Sequence, residues 1–121
     1  MFEQLGDDSL QEVLRCAAEF EVQAGHVLVQ PNQAGSGLFV IEEGSVTVDL
    51  PGRKTELGPG EFFGELALLR EDQTHTARVS ASSPLRCLAI QREEFDRLLD
   101  KEPAIAVAML KTLAKRLANS A

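Results

Sequence analysis

The sequence predicts a mainly β chain with flanking helices: an antiparallel sandwich or jelly roll, with one helix before it and two behind. Three observations lead there. Between Phe20 and Gln91 short apolar runs recur at close intervals, separated by glycine, proline and serine clusters. Some runs alternate strictly, as Ser45-Val46-Thr47-Val48-Asp49-Leu50 does, which is the period of a half-buried strand. At both ends of the chain the apolar spacing changes to that of a helix.

The elements follow in order. Asp7 and Asp8 precede Ser9, and Leu10, Val13, Leu14, Ala17 and Ala18 recur at helical spacing, which predicts a capped amphipathic helix. Phe20-Glu21-Val22 alternates and is broken by Gly25, and Val27-Leu28-Val29 makes a second short strand. Pro31-Asn32-Gln33-Ala34-Gly35-Ser36-Gly37 has the composition of a loop. Leu38-Phe39-Val40-Ile41 is a continuous apolar run, the pattern of a buried strand, and Glu42-Glu43-Gly44 closes it. The alternating Ser45–Leu50 run leads through a Pro51-Gly52-Arg53 turn into a weak strand, Lys54–Leu57, ended by Gly58-Pro59-Gly60. Two more strands, Ala77–Ala81 and Leu85–Gln91, flank a turn at Ser82-Ser83-Pro84. Glu93–Leu99 is helical, and Pro103 marks the first turn of a second helix running to about residue 118. On it Ala106, Leu110, Leu113 and Leu117 form one seam, which Ile105 and Met109 widen. That arc is expected to pack on the β-roll; the alternative is that part of it meets a partner copy or another domain.

Composition sets the limits. The 121 residues make one domain of about 20–91 β-roll and 92–118 C-terminal helices, with no output domain expected in the chain. A net charge of -7 argues against nucleic-acid or anionic-membrane binding by bulk charge. No apolar run approaches the roughly 18 residues of a membrane span, and the opening Met1-Phe2-Glu3-Gln4, neither basic nor apolar enough, is not expected to be a secretory signal. Cys16 and Cys87 lack metal-site spacing and read as small buried hydrophobes in a reducing, cytoplasmic compartment. His26 and His75 form no His-x-His pair, and neither a Ser/His/Asp nor a Cys/His arrangement is legible. The expectation is therefore no catalytic residue, no metal and no cofactor; a metal-dependent jelly-roll enzyme is the least favoured reading.

The most informative stretch runs from Gly60 to Val79. Gly60-Glu61-Phe62-Phe63-Gly64 is a glycine turn with two aromatics, and Glu65-Leu66-Ala67-Leu68-Leu69 has the propensity for one or two turns of helix. Gly64 lets a ligand approach the backbone closely. The free N–H groups of a helix start suit an anion such as a phosphate. Glu65 would repel that anion unless turned toward a hydroxyl donor, as a sugar offers.

These residues carry a resemblance. Phe63-Gly64-Glu65-Leu66-Ala67-Leu68, a six-residue spacer and His75-Thr76-Ala77-Arg78-Val79 resemble the phosphate-binding cassette of cyclic nucleotide-binding domains. A second motif of that family resembles Gln33, Gly35, Leu38–Ile41 and Gly44, with Asn32 where glycine is usual. The resemblance implies a β jelly roll, cupin-like in shape, and a cyclic nucleotide such as cAMP or cGMP as ligand. It implies that Glu65 accepts from the ribose 2'-hydroxyl. The N–H groups of Gly64, Leu66 and Ala67, with Thr76, would hold the cyclic phosphate, and Ala77 would keep the pocket uncrowded. One position departs from the pattern: the family's phosphate-pairing arginine is His75 here. Either a protonated His75 takes over that role, or the charge site is gone and His75 is an ordinary exposed residue. The implied function is a regulatory sensor relaying occupancy through its C-terminal helices, to a second copy or an output domain. The alternative is a degenerate module of the same fold that serves protein–protein or intramolecular contact. Thr112 and Asn119 are the candidate polar groups near a pocket lid.

Overall fold

The computed structural model describes residues 6–30, 37–64 and 77–120, with backbone alone for 7–10 and 116–120. Helix α1 (Asp7–Cys16) leads into β1 (Ala18–Val22), β2 (Val27–Val29), β3 (Gly37–Glu43), β4 (Val46–Leu50), β5 (Arg53–Leu57), β6 (Phe62–Phe63), β7 (Arg78–Ala81) and β8 (Leu85–Gln91). Helices α2 (Arg92–Lys101) and α3 (Pro103–Ser120) follow. The strands form two four-stranded sheets, ordered β1-β8-β3-β6 and β2-β7-β4-β5. Every pairing is antiparallel. The expected mainly β jelly roll with flanking helices is the architecture found.

Two cores lie on opposite faces of the first sheet. Between the sheets are Val29, Ile41, Val46, Leu57, Phe63, Val79, Ala81, Leu85 and Cys87. Between the first sheet and the helices are Val13, Leu38, Val40, Phe62, Ile90, Phe95, Leu98, Ile105, Ala108 and Met109. This explains the unbroken run in β3. Successive strand residues point to opposite faces, and here both faces are covered. Leu38 and Val40 therefore meet the helices, while Ile41 meets the second sheet. Among the described residues nothing covers the outer face of the second sheet, and its strands alternate accordingly: β5 exposes Arg53, Lys54 and Glu56 and buries Leu57.

The turns hold the sandwich closed. Gly44 adopts φ +88, and a β-carbon there would collide with the carbonyl of Pro84. The neighbouring Ser45 N–H donates to Ser83 Oγ at 3.0 Å, and Ser82 N–H to the Ser45 carbonyl at 3.0 Å. The β3–β4 and β7–β8 turns are thus fastened to each other.

Four local expectations are corrected. Helix α1 begins at Asp7 with Gly6 as its N-cap and no side-chain capping bond, so Ser9 is inside the helix. Ala17 ends it and Ala18 belongs to β1, because that strand must reach Ala89 of β8. Arg53 is a strand residue paired with Leu50, leaving Pro51-Gly52 alone as the turn. Phe62-Phe63 is a strand of its own, with its two rings on opposite faces of the sheet.

The seam on α3 is the expected one only in part, Leu113 packing against the helix-side core and Leu110 not. Ile105, Ala108 and Met109 face the core, whereas Leu110 is 66% exposed and Val107 51%. The first two turns of this helix are apolar at every position, so spacing alone does not select a face. The Pro103 break selects it: Glu102 is non-helical, its N–H bonding Leu98, and Ile105 N–H returns to the Glu102 carbonyl at 3.0 Å. Leu14 of α1, placed on the apolar face by its spacing, is likewise exposed.

Candidate functional site

The segment singled out by the sequence joins the two sheets. It leaves the first sheet at Gly64, just after β6, and enters the second at Ala77, just before β7. Of the seven proposed binding residues, Gly64 and Ala77 are among the described residues. Glu65, Leu66, Ala67, His75 and Thr76 lie outside them, as do Asn32, Gln33 and Gly35 of the second motif.

Gly64 is held in place from several sides. It has φ +92, a conformation that side-chain-bearing residues rarely adopt. Phe63 stacks on Phe39 with ring centroids 5.0 Å apart, and Phe20 meets Phe39 edge-on at 6.0 Å. The pairs Phe39–Phe63 and Val40–Phe62 fix the register of β6 on β3. At Gly64 itself the backbone lies close to β3: a β-carbon on Gly64 would lie 2.9 Å from the Gly37 carbonyl oxygen. Gly37 is tight in turn, because a β-carbon there would strike the Ile90 carbonyl. The sequence marks Gly37 only as the end of a loop. A glycine opening an apolar run is the one signal it offers for this contact.

The strap before β6 is equally ordered. Gly60 N–H donates to the Ile41 carbonyl at 2.8 Å, and Ile41 N–H to the Glu61 carbonyl at 2.9 Å. The Glu61 carboxylate accepts from Gly58 N–H at 2.8 Å, bracing its own turn. Glu61 is thus a structural acid. Arg78, beyond the other end, is exposed and lies opposite Asp49 in the β4–β7 register. Thr112 Oγ donates to the Ala108 carbonyl one turn back at 3.1 Å, so its hydroxyl proton is committed to its own helix. The side chain of Asn119 lies outside the described residues.

Among the described residues no group of three or more His, Cys, Asp or Glu is placed to hold a metal ion, and no helix is long and apolar enough to cross a membrane. Burial, and less strongly the Glu42 charge, push the Cys87 thiol up to about 11. The Cys16 thiol is raised by burial and by its hydrogen bond to Glu94. Neither thiol is therefore poised as a nucleophile at neutral pH.

Comparison with known proteins places this geometry in context. The model of the cyclic nucleotide-binding domain family matches residues 19–102. A cyclic nucleotide-gated potassium channel of Rhizobium etli is 37% identical over 116 residues, 96% of this chain and 32% of the channel. The chain therefore spans about a third of that relative's length. Among solved structures, the Thermus thermophilus catabolite activator protein superposes with a TM-score of 0.83 at 26% identity, over 98% of this chain and 58% of that one. A chain solved in work on a cyclic-GMP-dependent signalling pathway regulating bacterial phytopathogenesis gives a TM-score of 0.79 at 31% identity, over 95% of both chains.

Proposed function

This chain belongs to the cyclic nucleotide-binding domain family, and from that premise we propose that it is a regulatory sensor taking cAMP or cGMP into the segment from Gly64 to Ala77. The observation that carries the reading is the pinched backbone at Gly64 and Gly37. It supports a site whose recognition runs through main-chain N–H groups, which suit a cyclic phosphate. In this reading Glu65 accepts from the ribose 2'-hydroxyl. The N–H groups of Gly64, Leu66 and Ala67 and the Thr76 hydroxyl hold the phosphate. Ala77 leaves room, and His75 supplies the charge when protonated. Catalysis forms no part of it.

Phe62 supports the relay. Two residues before Gly64, it is fully buried in the cluster shared with Ile105, Ala108 and Met109 of α3. Closure of the segment on a ligand would press on that cluster, and a packed cluster answers by shifting the helix rather than by compressing. The exposed Val107 and Leu110 of α3 offer an apolar surface to an output domain or a second copy.

The test is a calorimetric titration of the chain with cAMP and then cGMP, at pH 6 and pH 8. Tighter binding at pH 6 is the expected result, because protonated His75 pairs with phosphate. Equal binding at both values would leave the main-chain site intact and remove His75 from it. No heat at millimolar nucleotide at either value would overturn the reading in favour of an interaction module that binds no nucleotide. What supports that second reading is His75, standing where the resemblance puts the phosphate-pairing arginine.

A further inference from the structure

Among the described residues, one side-chain oxygen is fully buried without a hydrogen-bond partner: Oε1 of Glu42. It lies where the β3–β8 register slips, Ile41 pairing with Cys87 and Glu43 with Arg86. Glu42 is thus the extra residue of a β-bulge, a feature that re-aims a side chain. Its carboxyl reaches that of Glu19, which lies on β1 at the other edge of β8. Two ionised carboxylates offer acceptors only, so a hydrogen bond between them requires a proton on one.

The surrounding charges do not remove this requirement. From β1 come Glu19 and Glu21, from β3 Glu43, and from β8 Arg86 and the Cys87 thiol. Arg86 is the only cation among these groups, and it is already engaged on both sides. Its Nε donates to Glu21 at 3.1 Å and its Nη1 to Glu43 at 3.1 Å. Glu42 thus faces a like charge from Glu19 and a guanidinium committed to two other carboxylates.

We propose that Glu19 and Glu42 share one proton and act as a proton-operated clamp, fastening β1 to the β3 bulge across β8. Protonated, the pair is closed by a carboxyl–carboxylate bond. Deprotonated, two like charges push the bulge open. Burial first, then the Glu19 bond and charge, raise Glu42 above the ordinary carboxylate range, which supports the same assignment. The clamp has a direct mechanical output. Ile41, the residue before the bulge, holds both Gly60 and Glu61 through its main chain. Opening the bulge therefore loosens the strap that enters β6. The device works with or without nucleotide, so it stands apart from the proposed ligand.

The experiment follows the glutamate side-chain carboxyl carbons of the whole chain by NMR from about pH 4 to pH 8, with amide protection factors at Ile41 and Gly60. Glu42 is expected to titrate above the ordinary glutamate value, and Glu19→Gln to lower its midpoint. Protection at Ile41 and Gly60 is expected to fall as pH rises through that midpoint, by up to about tenfold, which corresponds to about 1.4 kcal/mol in the opening equilibrium. Glu42→Gln, which copies the protonated form, should hold protection high at all these pH values. Glu42 titrating at the ordinary glutamate value, or keeping its midpoint in Glu19→Gln, would overturn the clamp. So would a protection profile in Glu42→Gln that still falls with pH as in the native chain.

Discussion

A β-carbon on Gly64 would stand 2.9 Å from the carbonyl oxygen of Gly37. The contact joins the end of β6 to the start of β3, and it places the exit from the first sheet. Gly64→Ala meets two penalties there, a positive φ and a backbone neighbour that cannot yield, because Gly37 is itself held against Ile90. Chemical denaturation should show a loss of about 1–3 kcal/mol. In the calorimetric titration its nucleotide affinity should fall further than its stability does. An alanine variant as stable as the native chain would mean that the pinch is loose.

Phe62 and Phe63 make a paired prediction, because adjacent rings serve different cores. Each substitution by alanine should cost about 3–5 kcal/mol. Phe62→Ala opens the helix-side core and should also weaken the docking of α3, visible as faster amide exchange from Ile105 to Met109. Phe63→Ala removes the stack on Phe39 and should leave those amides unchanged. The same exchange pattern in both variants would mean that the two cores do not act separately.

The strand pattern was legible because water marks it. Ser45–Leu50 has one wet face, and the alternation shows it. Leu38–Ile41 has none, and the unbroken apolar run shows that. Where an element is apolar and short, or apolar all round, the sequence carries no such mark. Phe62-Phe63 is too short to display a period, and α3 displays too many apolar positions. The Glu42 bulge was illegible for another reason: a one-residue slip depends on the partner strand, here Cys87 and Arg86, which lie far along the chain. The candidate segment stood out as a motif, through Gly64 and its neighbours. Its close packing against Gly37 was not, because two glycines so far apart in sequence say nothing about each other.

The face of α3 is tested by two substitutions. Ile105→Ala, at a buried site, should cost about 2–5 kcal/mol. Leu110→Gln, at a site 66% exposed, should leave stability of the isolated chain within about 0.5 kcal/mol. The opposite ranking in thermal melts would restore the seam through Ala106 and Leu110 that spacing suggested.

Cys87 predicts an alkaline limit. Its folded value of about 11 lies above the ordinary thiol value of 9.0, and burial is the main cause. The sign follows from that order. A raised value favours the protonated folded state, so the contribution is complete below the unfolded value and disappears as pH climbs through the folded one. Stability should decline between about pH 9 and pH 11, and Cys87→Ala should flatten that decline. In Cys16→Ala, labelling of the remaining thiol at pH 8 should be no faster than opening of the fold.

His75→Arg is the most discriminating substitution at the candidate site. Arginine keeps its charge throughout the pH range and grips a phosphate with two N–H groups, where histidine offers one charge that comes and goes near neutrality. If the main-chain site is intact, the variant should bind cAMP or cGMP about tenfold or more tightly at pH 8, since a charge-assisted bond contributes about 1.5–3 kcal/mol. Its affinity should also lose the pH 6 to pH 8 dependence expected of the native chain. Glu65→Gln supplies the second arm. It should weaken binding in both backgrounds without altering the pH profile, if the proposed ribose contact is made by a carboxylate of ordinary acidity. An arginine variant that folds normally and still binds neither nucleotide would place the defect in the cassette itself. The chain would then be a fold that has lost its ligand, and the exposed Val107 and Leu110 would be where to look for its partner.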